Sequence, residues 1–166
     1  IPLYIITAYA PQSACNDEEK DKFYEKLEEV TEKAQKTGTV IILGDFNARV
    51  LKRQNEEERE CIGDYAFGNT ESPLSFTQEM WDNRQRFIAF CQGQNIKIMN
   101  TLFQKSDKYL CTYKDIGVKG PPYVRHNYET IDYRITQNNW KNIMKNTYAD
   151  PDANIDTRHH PCLLYT

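Results

Sequence analysis

Gly44-Asp45-Phe46-Asn47-Ala48 sets an acid and an amide two positions apart at the end of an apolar run. Alternate side chains of a strand share a face, so Asp45 and Asn47 are expected to point the same way. A carboxylate there can take a proton from water or bind a metal ion. An amide can donate to a phosphate oxygen without adding charge. Gly, Asp and Asn also suit a plain turn at a strand end. A second acid, Asp132, interrupts the apolar stretch Thr130-Ile131-Asp132-Tyr133. A buried carboxylate is costly unless it is paired or metal-bound. At a strand end it can also hold an imidazole in one tautomer; the plainer alternative is a solvent-facing Asp on an edge strand. The segment Asp156-Thr157-Arg158-His159-His160-Pro161 offers that imidazole ahead of a short apolar stretch. A histidine pair in a loop is equally compatible with a structural or solvent-exposed role.

Such groups act together only if secondary structure carries them to one place. Residues 3–10 (LYIITAYA) read as a buried strand running into Pro11. Asn16 is expected to cap a helix, with Glu19 at the capping-box position. Phe23, Leu27, Val30 and Ala34 follow at helical spacing, and Gly38 ends the helix. Thr39 to Leu43 (TVIIL) reads as a second buried strand. Residues 51–64 (LKRQNEEERECIGD) read as a charged, mobile loop. Residues 83–93 predict a short helix turning Phe87, Ile88, Phe90 and Cys91 inward. Further strands are expected at 96–100, 110–113, 128–135 and 162–165, with a turn at 117–122 (GVKGPP). Strands interleaved with helices indicate an α/β arrangement.

A chain of 166 residues, 39% hydrophobic and 27% charged, suits one ordered domain. No apolar run approaches the ~20 residues that a membrane-spanning helix needs, so no membrane partner is expected. The net charge of −3 neither demands nor excludes nucleic acid. The five cysteines, Cys15, Cys61, Cys91, Cys111 and Cys162, are scattered and lack a CxxC pair. They read as reduced thiols of an intracellular protein, with no zinc site. Ile1 to Ile6 lack an initiator Met and a basic leader, and read as the inside of a strand, which predicts a fragment. Within 105–126, Lys105, Lys108, Lys114, Lys119 and Arg125 outnumber Asp107 and Asp115, with Tyr109, Tyr113 and Tyr123 interleaved. Such a patch can track phosphates and stack on bases; a solvated hairpin over packed tyrosines is the alternative.

The order of these elements carries a resemblance. Tyr9-Ala10-Pro11 after a strand, then Gly44-Asp45-Phe46-Asn47-Ala48, then Ile131-Asp132-Tyr133, then a terminal His-Pro resembles the endonuclease/exonuclease/phosphatase superfamily. The stretch from Asn83 through Arg86-Phe87 to Phe90-Cys91 is similar to the "NG-x-RL-x-x-FC" helix of non-LTR retrotransposon endonucleases. Asn100-Thr101-Leu102-Phe103 resembles their "NT-x-F" strand exit, and Cys111-Thr112-Tyr113 stands where they have "TW". Residues 8–34 look like the RTE-type clade and the craniofacial development protein 2-like host proteins.

The resemblance implies a deoxyribonuclease I-like, four-layer αββα sandwich (α/β, α+β). Residues 1–166 would form its C-terminal part, without the N-terminal third. One sheet would then lack strands and expose apolar surface. It further implies a Mg²⁺-dependent (or Mn²⁺-dependent) phosphodiesterase nicking DNA in the nucleus, with a reverse transcriptase domain in the parent polyprotein. Asp45 would orient or deprotonate the attacking water. Asn47 would contact the scissile phosphate, and Tyr9 would donate to that phosphate or help place the metal ligands. Asp132 would pair with His159, and His159 would donate to the phosphate. Tyr113 and the lysines and arginine of 105–126 would contact DNA. Two departures stand out. Thr157-Arg158-His159 replaces the family's Ser-Asp-His, leaving Asp156 as a stand-in metal ligand. The family's metal-binding Glu belongs to the absent third. Both predict an inactive fragment, and favour the alternative of a domesticated or decayed nucleic-acid-binding remnant.

Overall fold

Consecutive residues of Val40-Ile41-Ile42-Leu43 belong to two different cores, and that alternation organises the molecule. The computed structural model describes residues 1–68, 76–125, 127–153 and 155–166. In chain order its elements are β1 (Leu3–Tyr9), α1 (Asp17–Gln35), β2 (Thr39–Asp45), α2 (Gln78–Gly93), β3 (Ile96–Ile98), α3 (Asp107–Leu110), β4 (Tyr113–Lys114), β5 (Tyr128–Glu129), β6 (Asp132–Gln137), β7 (Asn146–Ala149) and β8 (Cys162–Tyr165). The central sheet has the order β1-β2-β6-β3. β1 and β2 are parallel; β6 is antiparallel to both of its neighbours.

Val40 and Ile42 on β2, with Tyr133 and Ile135 on β6, face a core closed by Leu27 and Ala34 of α1 and by Phe87, Ile88, Phe90 and Cys91 of α2. Phe46 stacks on Phe87 there at 4.4 Å. Burying one such side chain contributes about 1.5–3 kcal/mol. Ile41 faces the opposite way, onto Met99 and Met144, with Leu43 and Leu164 packed against them. Arg134 projects to this second side and donates to the Thr147 hydroxyl at 2.6 Å. β7 and β8 pair as a small sheet over that side. Three layers result: helices, central sheet and a second sheet. This mixed α/β architecture agrees with the class expected from the sequence.

Several elements differ from their sequence expectation. β1 is an edge strand and is exposed: Leu3 and Ile5 keep 53% and 63% of their surface, because β2 is its one neighbour. Asn16 does cap α1, accepting from the Glu19 amide at 2.9 Å, but Val30 lies outside the buried stripe. α2 begins at Gln78, ahead of the expected start at 83, because Thr77 caps it. Residues 110–113 are the end of α3 and the start of β4, not one strand. The single strand expected at 128–135 is divided: β5 pairs with β4, and β6 joins the central sheet. β7 has no counterpart among the strands expected from the sequence.

Residues 51–64 are held in place rather than loose. A 3₁₀ turn spans Glu57–Glu60, and Cys61 and Ile62 are fully buried. The reason is an ion pair. Arg84 of α2 donates through both terminal nitrogens to Glu58, at 2.7 Å each, and through Nε to the Val50 carbonyl at 2.7 Å. Neither partner could remain buried alone.

Candidate active site

Tyr9 is the last residue of β1, Asp45 the last of β2 and Asp132 the first of β6. Because β6 runs antiparallel, its start lies at the same sheet end as the other two termini. Register then aligns them in one row: Tyr9 opposite Asp45, and Asp45 opposite Asp132. Tyr9 is 70% exposed, so its ring projects into solvent at the end of that row.

Asp45 Oδ1 accepts the Asn47 backbone N–H at 2.8 Å. Burial pushes the Asp45 carboxyl above its ordinary range, and the neighbouring Asp132 charge adds to this, outweighing the Asn47 bond. Asn47 does not continue the alternation of β2. The strand stops at Asp45, and Asn47 sits at a φ of 47°, a left-handed conformation that Asn tolerates. Its side-chain amide donates to the Ala10 carbonyl at 2.8 Å. Asn83, in the second turn of α2, donates to the carbonyls of Pro11 (3.1 Å) and Asn47 (3.0 Å). These bonds tie the Tyr-Ala-Pro and Gly-Asp-Phe-Asn segments together.

His159 Nδ1 meets the two Asp132 oxygens at 3.1 and 3.0 Å. His160 turns the other way, buried, with Nδ1 at 3.0 Å from the Cys111 carbonyl; burial holds its pKa below the usual histidine value. Thr112 explains this placement. Its hydroxyl accepts the Ile131 and Asp132 N–H groups at 3.1 Å, and its carbonyl accepts the His160 N–H at 2.7 Å. Tyr113 forms an isolated bridge with His159, and the edge of one ring meets the face of the other at 5.1 Å. The Asn100 amide donates to the Asp132 carbonyl at 3.0 Å. Sequence reasoning alone misses Asn83, Thr112 and Asn100 as supports. Asn83 and Asn100 lie within recognisable motifs, but nothing local indicates their bonding partners.

Asp45, Asp132 and His159 each offer a ligand atom within 4.8 Å of the others, and among the described residues they are the group that could hold a metal ion. The two carboxylates suit a hard divalent cation, while the imidazole Nδ1 is taken up by Asp132. Burial, and then the Asp132 charge, raise the Asp45 pKa, and a cation held between the acids would offset both. Asp156 does not join this group. It is exposed and lines a cleft with Lys114, Lys119 and Arg158.

The basic stretch does not form one patch. Lys105 lies over the Tyr148 ring at 5.6 Å, and Lys108 pairs with Asp152 at 2.5 Å. Arg125 stacks on Phe76 at 4.5 Å. Lys114 and Lys119 remain beside the site, in the cleft with Arg158. Turns at 117–122 separate these groups. Residue 126, the end of that stretch, lies outside the described residues.

The fold is that of the deoxyribonuclease I-like nucleases and phosphatases, with the acid row at the sheet end. A 3′ phosphatase from Neisseria (NExo, bound to product DNA hairpin) superposes over 97% of this chain and 60% of its own. Its TM-score is 0.61 at 16% identity. An AP endonuclease from Leishmania major covers 98% of this chain and 49% of its own, with a TM-score of 0.62 at 12% identity. One from Archaeoglobus fulgidus gives 0.58 at 17% identity, over 98% of this chain and 61% of its own. In sequence, the chain is 27% identical to craniofacial development protein 2 of Bos taurus and of Tragulus javanicus over 157 residues, 95% of its length. It spans only 23% and 24% of those relatives. No family model matches. The chain thus shares the fold of these nucleases and phosphatases, and its sequence is similar to craniofacial development protein 2.

Proposed function

We propose that this chain is a divalent-metal-dependent phosphodiesterase domain acting on DNA, of the type that nicks DNA for a non-LTR retrotransposon. The observation that carries this reading is the row Tyr9–Asp45–Asp132 with His159 seated on Asp132. Mg²⁺, or Mn²⁺, would be held by the Asp45 carboxylate with Asp132 beside it, leaving His159 to act on the phosphate. When bound, the ion supplies charge neutralisation at the phosphoryl oxygens and the leaving group.

The chain's own residues supply the rest. Asp45, with its raised pKa, is suited to take a proton from the attacking water once ionised. Asp132 fixes the His159 ring through Nδ1, leaving Nε2 to donate to the phosphate as charge develops. Tyr9 at the rim is placed to position the phosphate. Asn47, with its amide turned to Ala10, acts by holding the Asp45 loop. Action in the nucleus and a reverse transcriptase domain in the parent polyprotein belong to the same reading. No helix among the described residues is long and apolar enough to cross a membrane.

Arg158 favours a second reading, a domesticated or decayed remnant that binds nucleic acid without cleaving it. A guanidinium cannot ligate a metal and repels one. The 166-residue chain is therefore expected to nick weakly. Supercoiled plasmid incubated with Mg²⁺ tests both readings. Weak nicking that Asp45→Ala abolishes and Arg158→Asp raises supports the first. Retained DNA binding with no nicking by either the native chain or Arg158→Asp supports the second. Robust nicking that survives Asp45→Ala sinks the site assignment.

A further inference from the structure

We infer that Arg158, Lys114 and Lys119 form an anion-binding cleft beside His159 that takes the phosphodiester backbone flanking the reacting phosphate. The inference rests on the phosphodiesterase reading and adds a subsite to it.

The cleft is built on the same bridge that sets His159. Tyr113 pairs with His159, and the next residue, Lys114, donates its N–H to the Arg158 carbonyl at 3.0 Å. The Arg158 guanidinium lies 4.9 Å above the Tyr113 ring, and that ring meets His159 at 5.1 Å. Arg158 thus lies over Tyr113, and Tyr113 in turn meets His159 edge to face. Stacking orients a guanidinium without consuming its N–H donors, which remain free to grip a phosphate in a bidentate fork. Thr157 steadies the turn by accepting the His159 N–H at 3.2 Å.

Arg49, Arg53, Arg84, Arg86, Lys20 and Lys108 all hold carboxylates. Among the described residues, Arg158, Lys114 and Lys119 form no ion pair, although all three line one cleft. Several lysines elsewhere, such as Lys36 and Lys145, also lack an ion pair among the described residues, so what marks the cleft is that three such cations converge in it. Asp115 and Asp156 line it too, so three cations face two acids. The net charge is small. Binding must therefore come from the oriented Arg158 fork more than from the general field. That is what separates a built phosphate subsite from a merely basic surface.

The test is fluorescence anisotropy of a short labelled DNA duplex titrated with the 166-residue chain, without metal, across a salt series from about 50 to 200 mM. Arg158→Ala and the pair Arg158→Ala/Lys119→Ala are compared with the native chain. Affinity should fall about tenfold for the pair, and the slope of log K against log salt should shrink by about 0.9 for each phosphate no longer neutralised. Arg158→Lys should keep the slope but lose part of the affinity, since it retains charge without the planar fork. A native chain that binds with a steep salt slope, unchanged in both alanine variants, overturns the subsite and leaves the phosphodiesterase reading intact. A native chain with no affinity for DNA overturns both. Circular dichroism spectra matching the native chain confirm that the variants fold.

Discussion

Asp45 and Asp132 stand opposite one another at the ends of β2 and β6, and His159 hydrogen-bonds the second of them. One acid is left to act on water or metal while the other orients an imidazole. Asp132→Asn removes the carboxylate that orients the His159 ring. Mg²⁺-dependent nicking is expected to drop by about 10²–10⁴. Because Asp132 and His159 act as one unit, adding His159→Ala to Asp132→Asn should cost little more. Rates of plasmid relaxation for the two single variants and the double check this; simple multiplication of the two losses would contradict it.

The Glu58–Arg84 pair is the strongest stability prediction. Both side chains are nearly inaccessible, at 6% and 2%. Removing one partner strands the other's charge, so Glu58→Ala or Arg84→Ala should each cost about 3–5 kcal/mol. Replacing both with apolar side chains of similar size should cost much less than the sum. Urea unfolding followed by tryptophan fluorescence measures each variant. Near-additive losses would show that the pair is not coupled.

The same pair sets a pH dependence. Burial raises the Glu58 carboxyl, but the Arg84 fork and the Gln54 N–H outweigh it and leave the pKa below the ordinary 4.5. The folded state therefore binds this proton less tightly than the unfolded chain. The stabilisation is present above pH 4.5 and is lost as pH falls through the lower folded value. The stability gap between the native chain and Glu58→Gln should narrow on acidification. A gap constant from neutral pH into the acid range would refute this.

Tyr133 joins the acid loop to the core. Its buried hydroxyl accepts the Val50 N–H at 3.0 Å and is shared between the carbonyls of Thr130 (2.7 Å) and Ala48 (3.0 Å). Tyr133→Phe leaves the Val50 N–H without a partner, at a cost of about 1–3 kcal/mol. The expected loss, read from denaturant midpoints, should come with faster hydrogen exchange at the Val50 amide. Unchanged exchange there would mean that another group satisfies it.

Features set by neighbours in sequence were legible before the structure. Asn16 three residues ahead of Glu19 marks a cap, and the apolar stripe of 83–93 marks a buried face, since both depend on residues a turn apart. The ordered acids and histidine were legible because the chain must present Asp45, Asp132 and His159 from separate segments in that order. Burial and pairing were not legible. The apolar run of β1 looks like a core strand, yet it has one neighbour in the sheet and lies largely in solvent. The acidic run around Glu58 looks like a solvated loop, yet Arg84 draws it inside from 26 residues away. Asn47 looks like the next alternate position of a strand, yet β2 ends at Asp45 and the amide turns to Ala10. The lysines of 105–126 look like one patch, yet Asp152, Tyr148 and the cleft at Arg158 divide them. Propensity and periodicity are properties of adjacent residues. Exposure, ion pairing and register are settled by partners that only the folded chain brings within a few ångströms.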